Sequence, residues 1–163
     1  MSLVLDIRVV PFDDPDALKL QAEVQQEYVV RYGEPDETPV QATEFTPPNG
    51  LFLVGYLDGV PVATGAWRRH DATDSGFRDG DVELKRMYVT ANARGRGFAR
   101  AVLAELERTA VAAGGRRVLL ESGTAQPEAL ALYRSCGYRD IPKYGHYRDD
   151  PRSVSLAKEV ATP

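Results

Sequence analysis

The chain has 163 residues, 43% of them hydrophobic and 27% charged, which gives enough apolar side chain for one well-buried core and too much for a disordered segment. A net charge of −4 argues against nucleic-acid binding spread over the whole surface, and a single cysteine, Cys136, excludes an internal disulfide. No apolar run reaches the length of a membrane span and the N-terminal stretch lacks a signal-peptide core, so residues 1–163 are expected to form one cytoplasmic domain with no nucleic-acid and no membrane partner.

Leu3 to Val10 alternates enough for a first strand. Asp14-Pro15-Asp16 is a helix start, with proline near the first turn and acids at the positive end of the dipole. That helix is expected from Pro15 to about Tyr32, with a break allowed. Gly33 to Gly50 holds Pro35, Pro39, Pro47 and Pro48 and reads as a loop with room for a short helical turn. Leu51–Leu57 and Val60–Arg68 read as strands joined by an Asp58-Gly59 hairpin turn. A polar loop, His70 to Asp81, leads to a strand from Val82 to Val89. A helix follows from about Gly97 to Ala113. Phe98, Val102, Leu106 and Ala110 line one face of it, Leu103 and Ala113 lie beside them, and Gly114-Gly115 stops it. Arg117 to Glu121 is apolar at its centre, as a buried strand is. Gln126 to Ser135 reads as a helix with Pro127 in its first turn. Tyr138–Ile141 and Ser153–Lys158 are the final candidate strands. The expected fold is α/β, a mixed sheet with helices on both faces.

The stretch Arg94-Gly95-Arg96-Gly97-Phe98-Ala99 sits between a strand and a helix, where the first backbone N–H groups have no partner and the dipole favours an anion. Gly95 and Gly97 allow close approach to the main chain, and Arg94, Arg96 and Arg100 add charge suited to phosphate oxygens. A P-loop is excluded because Gly97 is followed by Phe98-Ala99 rather than Lys-Ser/Thr. A dinucleotide fingerprint is excluded because Arg100 is too large for that helix–strand contact. What remains is Arg-x-x-Gly-x-Ala, at Arg94, Gly97 and Ala99. It resembles the coenzyme A-binding signature of the GNAT superfamily of N-acetyltransferases. Downstream, Ala129, Leu132-Tyr133 and Gly137-Tyr138 are similar to that family's Ala-x-x-Leu-Tyr-x-x-x-Gly-Phe/Tyr helix and strand. One departure is Gln126, where many relatives carry Asn. The segment before Leu51 falls in the family's variable, acceptor-binding part.

The resemblance implies a mostly antiparallel sheet with splayed central strands and acetyl-CoA as cosubstrate. It implies that the phosphates lie on the N–H groups from Gly95 to Arg100, the cradle being Arg94, Gly95, Arg96, Gly97, Phe98, Ala99 and Arg100. The pantetheine arm is then expected along Met87, Tyr88 and Val89, with Gln126 as a further contact and the Met87 N–H as donor to the thioester oxygen. Glu83 is the candidate general base. Strand alternation is expected to put it on one face with Lys85, Met87 and Val89, and Leu84, Arg86 and Tyr88 on the other. The residue pattern equally allows Glu83 to form an ion pair with Lys85 or Arg86. Tyr133 is the candidate general acid, or else a ring packed in the core.

Other residues carry weaker signals. Cys136 reads as a small buried hydrophobe. His70 and His146 lie in loops and are too few for a metal site. His146, in Tyr144-Gly145-His146-Tyr147, is a candidate for the acceptor rim, as are Trp67, Tyr56 and Tyr28, although such aromatics are usually core. Glu44, Glu34 and Asp36 are placed to attract a cationic amine, or form a solvated acidic loop. The expected activity is direct transfer of an acetyl group to a primary amine, without a metal, the acceptor being a small molecule and the enzyme a possible homodimer. The alternatives are acetylation of a protein N-terminus or lysine, and a non-catalytic coenzyme A-binding regulatory module.

Overall fold

A computed structural model describes residues 4–72 and 76–160. Its elements follow the chain as β1 (Asp6–Val9), α1 (Pro15–Tyr32), β2 (Gly50–Leu57), β3 (Val60–Arg69), β4 (Asp81–Val89), α2 (Phe98–Ala112), β5 (Arg117–Gly123), α3 (Pro127–Ser135), β6 (Arg139–Asp140) and β7 (Ser153–Glu159). A short 3-10 turn, Ala42–Phe45, lies in the proline-rich loop, and another, Ala91–Ala93, follows β4. Leu3, where the first strand was expected to begin, and residues 73–75 of the loop before β4 lie outside the described residues. The strands form one seven-stranded sheet in the order β1-β2-β3-β4-β5-β7-β6. All neighbours pair antiparallel except β4 and β5, which pair parallel.

The helix start read at Asp14 is a working cap: its carboxylate accepts from the N–H of Asp16 at 2.9 Å and of Ala17 at 3.3 Å. Gly33 ends α1 in the left-handed region, φ +85°, and the helix is unbroken between. Two cores flank the sheet. β2 supplies both by alternation, Leu51 and Leu53 to one, Phe52 and Val54 to the other. The first core is closed by α2 and α3 through Phe98, Val102, Leu106, Leu130 and Tyr133. The second is closed by α1 through Ala17 and Leu20, with Phe45 from the 3-10 turn. A smaller cluster of Leu119, Tyr144 and Ala157 sits on β5 and β7.

One expectation about β4 is overturned. Thr64 of β3 faces Tyr88 and Ala66 faces Lys85, so Gly65 stands opposite two residues, Arg86 and Met87. This is a β-bulge, and Arg86 takes φ +60° to make it. The bulge breaks the alternation. Leu84, Met87 and Val89 pack into the α2 core, and Tyr88 packs into the α1 core. Lys85 and Arg86 are consecutive yet reach the same carboxylate, Asp36 Oδ2, at 2.9 and 3.0 Å. Glu83 and Lys85 therefore do not share a face with Met87 and Val89. Gly65 is needed opposite the bulge, because a Cβ there would stand 2.7 Å from Leu106, 2.8 Å from Met87 sulfur and 2.8 Å from Val102.

Candidate active site

β4 and β5 pair only at Asp81–Arg117, Val82–Val118 and Glu83–Leu119. A buried pair pins that closed end, with Arg117 donating to Asp81 Oδ1 at 2.8 Å and Oδ2 at 2.7 Å. Beyond Glu83 the β4 bulge turns the strand and the ladder stops, so the two strands separate. A cleft of about 370 Å³ lies between the end of β4, the turn after it and α3, and it brings together most of the predicted coenzyme residues. Met87, Tyr88, Val89, Arg94, Gly95, Gly97, Phe98, Ala99, Arg100, Gln126 and Tyr133 all line it. Arg96 does not line it.

The cradle is built as its sequence requires. Gly95 and Gly97 have φ +78° and +81°, open to glycine and strained for other residues. Gly97 is the N-cap of α2 and no side chain caps the helix, so its first N–H groups face the cleft without a side-chain acceptor. A Cβ at either glycine would meet nothing within 4 Å, which is free space beside the main chain. This donor set, in that space, fits a diphosphate. Two of the arginines are already engaged. Arg94 donates to the Val89 carbonyl at 3.0 Å and pairs with Glu27 at 2.8 Å, which ties the turn to β4 and α1. Arg100 donates to Ser135 Oγ at 2.7 Å and Cys136 Sγ at 3.2 Å, which ties α2 to the end of α3.

A second cavity, of about 100 Å³, lies on the α1 side of the sheet and shares one wall residue, Gln126, with the cleft. Tyr28, Tyr32, Glu34, Asp36, Lys85, Glu121, Tyr147 and Ser153 are among its walls. Tyr32 donates to Gln126 Oε1 at 3.0 Å, so the amide that departs from the family pattern is held at the junction. Glu34 and Asp36 do line this cavity, as an amine-attracting role requires. Asp36 is not a solvated loop acid: burial raises its carboxyl pKa, yet Lys85 and the Thr38 contacts outweigh burial and hold it well below the usual range. Of the aromatics proposed for the rim, only Tyr28 lines the cavity. Trp67 is core and donates to Thr109 at 3.0 Å, Tyr56 donates to Asp16 at 2.6 Å, and His146 is exposed against the Tyr147 ring. Glu44 lies elsewhere, bonded to Arg68 at 3.1 Å.

Glu83 is buried, with a side chain only 2% exposed. Its Oε1 accepts from Arg68 Nε and from His70 Nε2, both at 2.9 Å. Burial pushes the Glu83 pKa up, but the His70 hydrogen bond and the charges of Lys85 and Arg68 outweigh it, and the net shift is downward. Its direct partners are thus Arg68, as an ion pair, and His70, as a hydrogen bond, rather than its strand neighbours. Tyr133 lines the cleft and also packs, 7% exposed, with its ring edge-on to Tyr138 at 5.8 Å between centroids. Burial raises its pKa above 10, so it holds its proton at neutral pH.

Sequence reasoning missed Glu121. It ends the apolar run Val118-Leu119-Leu120, reads as a strand terminus, and yet lines the second cavity. Its Oε1 is buried with no hydrogen-bond partner among the described residues, and its pKa is raised to about 7 by burial, with the Glu83 charge adding to it. An acid closing a buried strand one turn before the Gln126 helix was the available signal.

Comparison with known proteins agrees with this geometry. The model of the acetyltransferase (GNAT) family matches residues 18–138. An IAA acetyltransferase of Azospirillum brasilense is 38% identical over 113 residues, 69% of this chain and 70% of that protein. A human N-acetylaspartate synthetase is 31% identical over 125 residues, 77% of this chain, and the chain spans 39% of its length. A solved structure from Klebsiella pneumoniae, described as an acyl-CoA N-acyltransferase, superposes with a TM-score of 0.77 at 25% identity, covering 98% of this chain and 100% of that one. With a sheet parted at β4 and β5, a glycine-built anion cradle at the end of the gap and a family model that spans both, the chain belongs to the GNAT family and is an acetyl-CoA-dependent acetyltransferase.

Proposed function

We propose that this enzyme moves the acetyl group of acetyl-CoA directly to a primary amine of a small molecule. The observation that carries this reading is a pair of neighbouring spaces that share Gln126 as a wall. The cleft reaches the anion cradle, and the second cavity, about 100 Å³, has the size of a small acceptor rather than a folded protein segment. Four acidic residues, Glu34, Asp36, Glu121 and Asp150, against two basic ones, Lys85 and Arg152, line that cavity and favour a cationic amine. The human relative's name, N-acetylaspartate synthetase, also specifies a small acetylated molecule.

The coenzyme supplies an activated thioester. The chain's own residues bind and orient it: the N–H groups after Gly97 hold the phosphates, and the gap beside Met87, Tyr88 and Val89 takes the extended arm. The Met87 N–H, at the bulge, is the donor to the thioester oxygen, a fixed dipole of the kind that stabilises developing negative charge. Tyr133 keeps its proton at neutral pH and delivers it to the departing sulfur. Glu83, clamped by Arg68 and His70, serves as a buried fixed charge that joins β3 to β4. The test is incubation with acetyl-CoA and a panel of primary amines, amino acids included, with free thiol and N-acetyl product followed together. Thiol release matched by product supports the reading. Acetylation of peptide N-termini or lysines alone refutes the small-acceptor assignment.

A further inference from the structure

We propose that Glu121 is the general base that takes the proton from the acceptor amine. This rests on the acetyltransferase reading above and goes beyond it by naming a residue on β5 rather than β4. Three observations carry it. Glu121 lies in the part of β5 that no longer pairs with β4, two residues past Leu119, and lines the second cavity opposite Lys85 of β4. Its Oε1 has no hydrogen-bond partner among the described residues, while Oε2 accepts only a long contact, 3.5 Å, from Ser153 Oγ. A buried carboxylate oxygen without a donor is expensive unless something brings one. An ammonium group in the cavity is such a donor. By contrast, Oε1 of Glu83 already has two.

The surroundings keep that oxygen available. Gly145 approaches from the loop before β7, with φ +78°, and a Cβ on it would stand 2.9 Å from Glu121 Oε1. Any larger residue at position 145 would press on the carboxylate. The charged and titratable groups facing Glu121 are Glu83 and Lys85 from β4, Asp36 from the loop after α1, and Tyr144 from the loop before β7. Burial and the two acids favour the protonated form, and Lys85 and the Ser153 hydroxyl oppose them; the balance sits at about 7. A base poised near the working pH is the most effective kind.

The acceptor R–NH₃⁺ gives one proton to the Glu121 carboxylate. The freed lone pair forms a bond to the acetyl carbon, and the carbon–sulfur bond breaks. The nitrogen gives its second surplus proton to Tyr133 as Tyr133 passes its own to the departing thiolate. Glu121 returns its proton to water. Products are R–NH–acetyl, the free thiol and one proton.

The experiment compares wild type, Glu121→Gln and Glu121→Asp across the amine panel from pH 5.5 to 9 (roughly the span that brackets the general-base range). Wild-type kcat/KM for an accepted amine is expected to carry a limb that rises through about 7. Glu121→Gln should lose that limb and fall by roughly 10²–10⁴-fold in kcat, with acetyl-CoA affinity unchanged, while Glu121→Asp recovers part of the rate. A melting series shows that the variant is folded and gives a second readout. A carboxyl whose pKa is raised on folding opposes the folded state once it is ionised. Glu121→Gln should therefore melt higher than wild type at pH 8, and the difference should shrink as pH falls from about 7 and vanish only below about 4.5, the unfolded value. A wild-type pH profile in Glu121→Gln overturns the proposal and leaves the acetyltransferase reading standing. No acetylation of any amine by the wild type overturns both.

Discussion

Replacing Glu83 with Gln separates scaffold from chemistry. The side chains of Glu83 and Arg68 are 2% and 7% exposed, and the pair is shared with His70. Removing one partner of a buried ion pair typically destabilises by about 3–5 kcal/mol, because the other charge is left uncompensated. Arg68 keeps Glu44 at 3.1 Å and the Pro39 carbonyl at 3.0 Å, so the lower end, about 3 kcal/mol, applies. For 163 residues at about 2.1 cal/mol/K each, the unfolding entropy is about 0.34 kcal/mol/K, and the expected drop in Tm is about 9 °C. The pH dependence has a definite sign. The Glu83 pKa is lowered on folding from about 4.5, so its contribution is complete above that pH and is lost as pH falls through the folded value. The deficit of Glu83→Gln should thus be full at pH 7 and shrink on acidification. Differential scanning calorimetry at several pH values reads it. A Tm shift below about 2 °C together with a turnover loss of about 10²-fold or more would refute the scaffold role and return Glu83 to the proton-transfer step.

Three other outcomes follow from the same geometry. Gly97→Glu should abolish acetyl-CoA binding by calorimetry while the protein still folds, since there is open space at that Cβ and the strain of φ +81° is of order 1–2 kcal/mol; Gly97→Ala carries that strain without the charge and should bind measurably. Tyr133→Phe should keep its melting temperature and lose turnover most at high pH, where solvent is a poorer proton source, whereas Tyr133→Ala should destabilise by about 3–5 kcal/mol; an unchanged pH–rate profile in the Phe variant would confine Tyr133 to packing. Gly65→Val should overpack α2 against the β4 bulge, with a loss of about 1–3 kcal/mol in denaturant unfolding, and an unperturbed midpoint would contradict the tight contacts with Leu106, Met87 and Val102.

Local chemistry made much of this site legible in the sequence. Asp14-Pro15, Asp58-Gly59 and Gly114-Gly115 mark turns and ends through backbone geometry alone, and the elements fall where those residues put them. The cradle was readable because positive φ at Gly95 and Gly97 is a property of those residues. The β4 face was misread because alternation assumes an unbroken ladder. The bulge is stabilised from outside the strand, by Asp36 holding Lys85 and Arg86 and by the absence of a side chain at Gly65. The same limit hid the partners of Glu83. Arg68 and His70 lie on or beside β3 and meet it only through antiparallel register, Arg68 being its direct cross-strand neighbour. Glu121 was overlooked because its signal, an acid closing an apolar strand just before a helix, does not by itself distinguish a solvent-facing terminus from a wall of a cavity.

The central claim is that acetyl passes from coenzyme to amine within one complex, across the gap between β4 and β5. Initial-rate kinetics with acetyl-CoA and an accepted amine varied together test this most directly. The account predicts intersecting double-reciprocal lines, with no acetylated enzyme trapped when acceptor is withheld. Parallel lines, with an acetyl group recovered on a side chain such as Cys136, would contradict it.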